Sequence, residues 1–183
     1  MEIIFNSYKI RNLKQNDAGD IFIYLQDFDI VKYLATVPSP YLLENAISFI
    51  LFANEQENKK TEFHFAIANA CDDKMLGLIG VKEINYQLGT CEIGYWLGRE
   101  HHNRGIITRS IEIISQFCFK DLGLSVIKAI VFESNIASIK ALGKSGFCNS
   151  GFSEKVYFNT FLKEKMYEFR LLKENLVSRG TEK

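Results

Sequence analysis

Between Cys91 and Phe132 the apolar pattern changes period twice. Cys91 to Leu97 reads as a strand, with Cys91, Ile93, Tyr95 and Leu97 on one face and Glu92, Gly94 and Trp96 on the other. Gly105 to Phe119 repeats at three and four residues, so that Ile107, Ile111, Ile114 and Cys118 form one helical stripe with Ser110 and Phe117 beside it. Ser125 to Phe132 is a short apolar run of the kind that forms a buried strand. Strand, helix and strand in that order make a β-α-β unit, which demands a parallel strand pair joined by a right-handed crossover. The rest of the chain has to be arranged around that unit.

Upstream, Ile21, Phe22, Leu25, Phe28, Val31 and Leu34 recur at helical spacing, read as two short helices split near Asp29. Ser39-Pro40 reads as a helix start with proline at the first position, and Tyr41 to Asn58 carries Leu43, Ile47, Ile50 and Leu51 on one side. Glu62 to Ala68 and Met75 to Ile84 form the arms of a hairpin around the polar turn Ala70 to Lys74. Downstream come a short helix, Asn135 to Lys144, and a last pair of strands near Gly151 to Phe158 and Glu164 to Leu172; the tail from Glu174 is polar. The order β-α-α-β-β-β-α-β-α-β-β predicts an α/β (α+β) fold. Its sheet is mixed and mostly antiparallel, flanked by helices, within one domain over 1–173 and a tail over 174–183.

A chain of 183 residues has enough core to need no covalent staples. Its 22 Lys and Arg balance 22 Asp and Glu, which removes the basic excess expected of a nucleic-acid binder. No apolar run approaches the roughly 20 residues of a membrane span, and the first residues lack the basic and apolar regions of a secretory signal. The expectation is a soluble cytoplasmic protein with no membrane or nucleic-acid partner. Cys71, Cys91, Cys118 and Cys148 form no C-x-x-C pair and read as buried thiols, and the three histidines have no metal-ligand spacing. Gly143-Lys144-Ser145 lacks the first glycine of a P-loop, Ser138 standing in its place.

The segment with chemical content is Glu92-Ile-Gly-Tyr-Trp-Leu-Gly-Arg-Glu-His-His-Asn-Arg-Gly-Ile-Ile-Thr108. A strand ends in a polar loop, and a helix opens at Gly105. Unshielded amides at a helix start attract anions, glycine allows close approach, and Arg104 adds a cation. Residue physics alone leaves two readings open, a phosphate cradle or an ordinary strand-to-helix turn with a solvated loop.

The segment resembles motif A of the GNAT N-acetyltransferases, Gln/Arg-x-x-Gly-x-Gly/Ala, which lands on His102-Asn103-Arg104-Gly105-Ile106-Ile107. Glu-Ile-Gly-Tyr-Trp-Leu before it and Gly-Ile-Ile-Thr within it look like the RimJ/RimL branch, which acetylates N-termini of ribosomal proteins. Glu133-Ser134-Asn135-Ile136-Ala137-Ser138 and Lys144-Ser145-Gly146-Phe147 are similar to that branch's Asn-x-x-Ser…Lys-x-Gly-Phe segment, and the resemblance spans residues 6–173. His102 and Ile107 depart from the pattern, and Leu142 stands where many members carry an acid tyrosine.

The resemblance implies acetyl-CoA as cosubstrate, no metal, and direct transfer to a primary amine in a ternary complex. The pyrophosphate would rest on the loop His102, Asn103, Arg104, Gly105, Ile106, Ile107 and Thr108. The pantetheine would run along Tyr95, Trp96 and Leu97, and Asn135 and Ser138 would lie near the thioester. Glu92 matches a frequent general-base position, with a salt-bridged strand carboxylate as its other reading. Ser138 is the candidate general acid, with a helix-surface or capping serine as its other reading, and Tyr157 is the alternative acid. The aromatic N-terminal helices, with Phe22, Tyr24, Phe28, Tyr33, Tyr41 and Phe49, would wall the acceptor. The acceptor is a protein N-terminus, a small amine or antibiotic, or, for an inactive acyl-CoA-binding module, none. Monomer and homodimer both remain open.

Overall fold

The computed structural model describes residues 1–153 and 164–178. Eight strands form one sheet in the order β1-β2-β3-β4-β5-β6-β8-β7. They are β1 (Glu2–Phe5), β2 (Tyr8–Asn12), β3 (Phe63–Asn69), β4 (Met75–Asn85), β5 (Thr90–Leu97), β6 (Val126–Phe132), β7 (Cys148–Phe152) and β8 (Met166–Leu172). The helices are α1 (Ala18–Tyr24), α2 (Phe28–Val31), α3 (Leu43–Lys59), α4 (Ile106–Lys120), α5 (Ile136–Lys144) and α6 (Lys173–Ser178). The β-α-β unit is present as β5-α4-β6: β5 and β6 run parallel, and the other neighbouring strands antiparallel.

Strand alternation divides the interior in two. Cys91, Ile93, Ile127 and Val131 pack with Ile106, Ile111, Ile114, Cys118 and Leu142 of α4 and α5 on one face. On the opposite face Ala66, Met75 and Leu78 meet Ile21, Tyr24, Ile30, Ala46 and Ile50 of α1, α2 and α3. Each helix carries its stripe at three- and four-residue steps, so burying that stripe fixes which side of the sheet it covers.

Arg11 on β2 ties the α1 side together. Its Nη1 and Nη2 donate to the two carboxylate oxygens of Asp17 at 2.8 Å each, and Nε donates to Asp73 Oδ1 at 2.7 Å. The carbonyls of Asn12 and Asp73 accept its remaining protons at 3.0 Å, so all five guanidinium donors are used. Arg11 and Asp17 are 3% and 4% exposed. Lys14, Lys9 and Arg11 together hold the Asp73 carboxyl far below the usual carboxylate range.

Several expectations are corrected. The chain begins with a two-strand hairpin, Phe5 pairing with Tyr8 across a turn in which Asn6 takes φ 50°. Pro40 does not open a helix: Ser39-Pro40 is a cis bond, and α3 begins at Leu43, where the Leu42 N–H donates to Asn45 Oδ1 at 2.8 Å. The first helical stretch breaks after Tyr24, before Asp29, because Asp27 caps α2 by accepting from the Asp29 N–H. Lys173–Ser178 forms a short helix within the expected tail. Cys71 and Cys148 are exposed, whereas Cys91 and Cys118 are buried with Sγ atoms 3.8 Å apart. Tyr157 and Phe158 lie outside the described residues.

Candidate active site

β5 pairs with β4 along almost its whole length, Leu97 lying opposite Gly77 and Glu92 opposite Lys82. Its parallel register with β6 covers only Thr90, Cys91 and Glu92, opposite Val126, Ile127 and Lys128. Beyond Glu92 the two strands part, and a cleft of about 870 Å³ enters the opening between Gly94–Leu97 and Ala129–Phe132. The cleft joins the start of α4 on one side of the sheet to the aromatic helices on the other.

At the α4 end, Arg99–His101 makes a single 3₁₀ turn, and the His102 Nε2–H donates to the Leu97 carbonyl at 2.9 Å. The histidine that departs from the motif therefore pins the loop back onto the end of β5. Arg104 Nη2 donates to the Glu100 carbonyl at 2.9 Å, bracing the loop from within. Asn103 and Gly105 take φ of 60° and 73°, both in the left-handed region. The first bond of α4 runs from the Arg109 N–H to the Gly105 carbonyl at 3.0 Å, and no side chain caps the helix. The amides of Ile106, Ile107 and Thr108 thus have no partner within the helix, and these residues line the cleft. The Ile106 side chain is 2% exposed and roots the helix start in the core, while Ile107 packs partly against that core. Lys140 and Lys144 also line this side, one helical turn apart on α5.

Glu92, Tyr95, Trp96, Leu97, Asn135 and Ser138 all border the cleft. Glu92 is 4% exposed, with its Oε1 3.0 Å from Lys82 Nζ, so the salt-bridged reading describes its contact. Asn135 caps α5 by accepting the Ser138 N–H at 3.2 Å. Ser138 is therefore not itself the cap, and its Oγ lies 2.8 Å from the Tyr95 hydroxyl. Leu142 is fully buried in the core and does not border the cleft.

Across the sheet, His64, Gly80 and Gly94 lie side by side on β3, β4 and β5. Gly94 leaves a trough in the sheet surface, where an added Cβ would meet only Lys82 Cε at 3.9 Å. A Cβ at Gly80 would sit 2.7 Å from His64 Nδ1, so the imidazole occupies the space a side chain there would need. Phe49 meets the His64 ring edge-on at 5.2 Å, and Tyr33, Tyr41, Phe52 and Trp96 complete an aromatic wall. Tyr24 is buried behind Trp96, with ring centroids 5.8 Å apart, and Phe28 is exposed. Among the described lining residues two carboxylates occur, both ion-paired: Glu92 with Lys82, and Asp29 with Lys32 at 2.6 Å and Arg99 at 2.6 Å. The hydrogen bond from Lys32 and the charge of Arg99 hold the Asp29 carboxyl below its ordinary range.

The sequence reading overlooked His64, Lys140, Lys144 and the Tyr95–Ser138 contact. Lys140 and Lys144 share the i, i+3, i+4 face of Ala137 and Ala141, a signal present in the sequence. The other two depend on strand order and helix docking.

Residues 8–148 match the acetyltransferase (GNAT) domain family. The chain belongs to the GNAT acetyltransferases. It is 33% identical over 150 residues to the probable N-acetyltransferase YjcK of Bacillus subtilis, covering 80% of this chain and 83% of that protein. The GNAT fold is shared with the ribosomal-protein-S5-alanine acetyltransferase of Vibrio fischeri, at TM-score 0.85, 20% identity, and 96% and 98% coverage. It is also shared with the spermidine N-acetyltransferase of Vibrio cholerae, solved with CoA and spermine, at TM-score 0.79, 19% identity, and 93% and 98% coverage. GNAT membership makes the protein an acetyl-CoA-dependent N-acetyltransferase, and the expected RimJ/RimL resemblance holds at the level of fold. No described helix is long and apolar enough to cross a membrane, and the described residues contain no cluster of His, Cys, Asp and Glu suited to a metal.

Proposed function

We propose that this GNAT enzyme moves the acetyl group of acetyl-CoA directly to the α-amine at a protein N-terminus, in a ternary complex, with residues 1–173 as one catalytic domain acting in the cytoplasm. The observation that carries the reading is the parting of β5 and β6, which joins a loop of free amides to an aromatic trough through the plane of the sheet. A pyrophosphate fits the loop at residues 102–108, where amides and helix dipole favour an anion. Lys140 and Lys144 add positive charge nearby. The pantetheine arm fits beside residues 95–97, where the Leu97 carbonyl is already held by His102, and its thioester then falls near Ser138.

An aromatic trough whose carboxylates are already paired suits a single amine on a peptide body better than a polycation, which needs several unpaired carboxylates to replace its water. A neutral amine is the nucleophile. At pH 7 about one α-amine in ten is neutral, against about one lysine in a few thousand. Glu92 receives the amine proton through water, Lys82 orienting its carboxylate. The lone pair of nitrogen attacks the thioester carbon, the carbon–sulfur bond breaks, and the Ser138 hydroxyl donates a hydrogen bond to the departing sulfur.

The test is thiol release from acetyl-CoA with N-terminal peptides, polyamines, aminoglycosides and amino acids as acceptors. Turnover with peptides alone supports the proposal. Turnover with small amines alone replaces the acceptor class, and tight CoA binding without turnover on any acceptor points to a binding module. Glu92→Gln is expected to lower kcat/KM by about 10²-fold at pH 7, the usual worth of a positioned base. The deficit should shrink as rising pH deprotonates the amine. A loss equal at every pH would make Glu92 a structural partner of Lys82.

A further inference from the structure

Tyr95 and Ser138 lie 43 positions apart in sequence, and their hydroxyl oxygens are 2.8 Å apart at the wall of the cleft. Tyr95 leaves β5 on the α4 side, where alternation places it beside Ile93 and Leu97. Ser138 lies in the first turn of α5, its backbone already held by the Asn135 cap. The pair spans the gap between the strand and the helix where β5 has left β6. Leu142, one helical turn further along α5, is sealed in the core and supplies no group to the cleft.

We infer that Tyr95 is a positioning residue for the transfer, its phenol donating to Ser138 Oγ so that the serine proton is left to point at the sulfur of the thioester. The inference rests on the acetyl-CoA reading of the cleft. A serine hydroxyl has one proton and two lone pairs, and its rotor is otherwise free to turn toward any acceptor. When its oxygen accepts from Tyr95, the proton has to go elsewhere, and the open side is the cleft. Burial keeps the phenol protonated at every pH at which the enzyme would work, so it is a constant donor. A chain of two hydroxyls also polarises the outer one, which strengthens its bond to a developing thiolate. No proton leaves Tyr95 in this role. It sets the direction and strength of the bond that Ser138 makes to the leaving group. The sheet thereby contributes a phenol to the leaving-group site, reaching it from β5.

The test reads the thiol of CoA bound to the full chain, by the ultraviolet absorbance of its thiolate through a pH titration, alongside kcat and KM. Tyr95→Phe keeps the ring and removes the donor. It is expected to raise the pKa of the bound CoA thiol by about half a unit to one unit, since a hydrogen bond that favours the charged form has been weakened. CoA affinity at pH 6, where the thiol is neutral, should stay within about twofold. With an accepted amine, kcat should fall about three- to tenfold while KM for acetyl-CoA holds. Ser138→Ala should raise the thiol pKa at least as much, and adding Tyr95→Phe to it should change nothing further, because Tyr95 acts only through Ser138. A thiol pKa that responds to Ser138→Ala but not to Tyr95→Phe would overturn the inference, as would additive effects in the double variant. Ser138→Thr, which retains a hydroxyl, is expected to keep the sensitivity to Tyr95→Phe. Failure of the wild-type protein to bind CoA would overturn the cleft assignment itself and this inference with it.

Discussion

Arg11→Met will lower the unfolding free energy by about 3–5 kcal/mol, the cost of leaving one partner of a buried ion pair without the other. Against a total of about 5–15 kcal/mol for a domain, that is enough to shift urea midpoints far down. The reason is stereochemical. Asp17 is 4% exposed, and both its oxygens are met by the planar guanidinium, with the Lys14 N–H donating to Oδ2 as well at 2.7 Å. Methionine fills the volume but donates nothing. The single variant isolates the stranded carboxylate, so Asp17→Leu added to Arg11→Met should recover part of the loss. A loss below about 1 kcal/mol would reduce the network to the value of a surface pair. The effect reaches the cleft because Asp17 precedes α1, whose Ile21 forms part of the wall.

Gly105→Asp should reduce CoA affinity at least about 10²-fold, close to 2.8 kcal/mol, while the melting temperature moves by only a few degrees. Nothing lies within 4 Å of a Cβ at Gly105, so the carboxylate fits. The left-handed φ of 73° costs roughly 1–2 kcal/mol for a side chain. A carboxylate at the N-cap offsets part of that, because it accepts from the uncapped helix amides and suits the dipole. Those same amides are then occupied and screened by negative charge, so helix stability and anion binding respond differently to one substitution. Gly105→Ala separates strain from charge and should lose only a few-fold in affinity. Calorimetry that found CoA affinity unchanged in folded Gly105→Asp would dismiss the loop as the pyrophosphate site.

The parts of this architecture visible in the sequence are those governed by local periodicity. The stripe Ile107, Ile111, Ile114, Cys118 and the alternation through Ile93, Tyr95 and Leu97 located α4 and β5 to within a residue or two, and with them the loop between. What escaped depends on chain distant in sequence. The hairpin Glu2–Asn12 has Asn6-Ser7 at its turn, a weaker signal than Asn-Gly, so its two short strands were not separable. Pro40 has the composition of a helix start, but Asn45 caps the helix further on. The thiols of Cys91 and Cys118 meet only because α4 docks on β5. Glu92 illustrates the limit most plainly. Its place on the strand was legible, whereas its ion pair depends on which strand lies alongside, and that is a property of sheet order.

The parting of β5 from β6 means that two half-sheets, β1–β5 and β6–β8, share a register of only three residue pairs. An extended ligand arm laid along residues 94–97 would act as a removable ninth strand, satisfying main-chain groups that β6 has abandoned. The cosubstrate would then join the scaffold as well as react on it. The halves would be held together while the acyl donor is bound and would loosen when spent CoA departs. Main-chain hydrogen exchange on the free edge of β5 would therefore rise and fall with the catalytic cycle, with the sheet itself recording which stage the enzyme has reached.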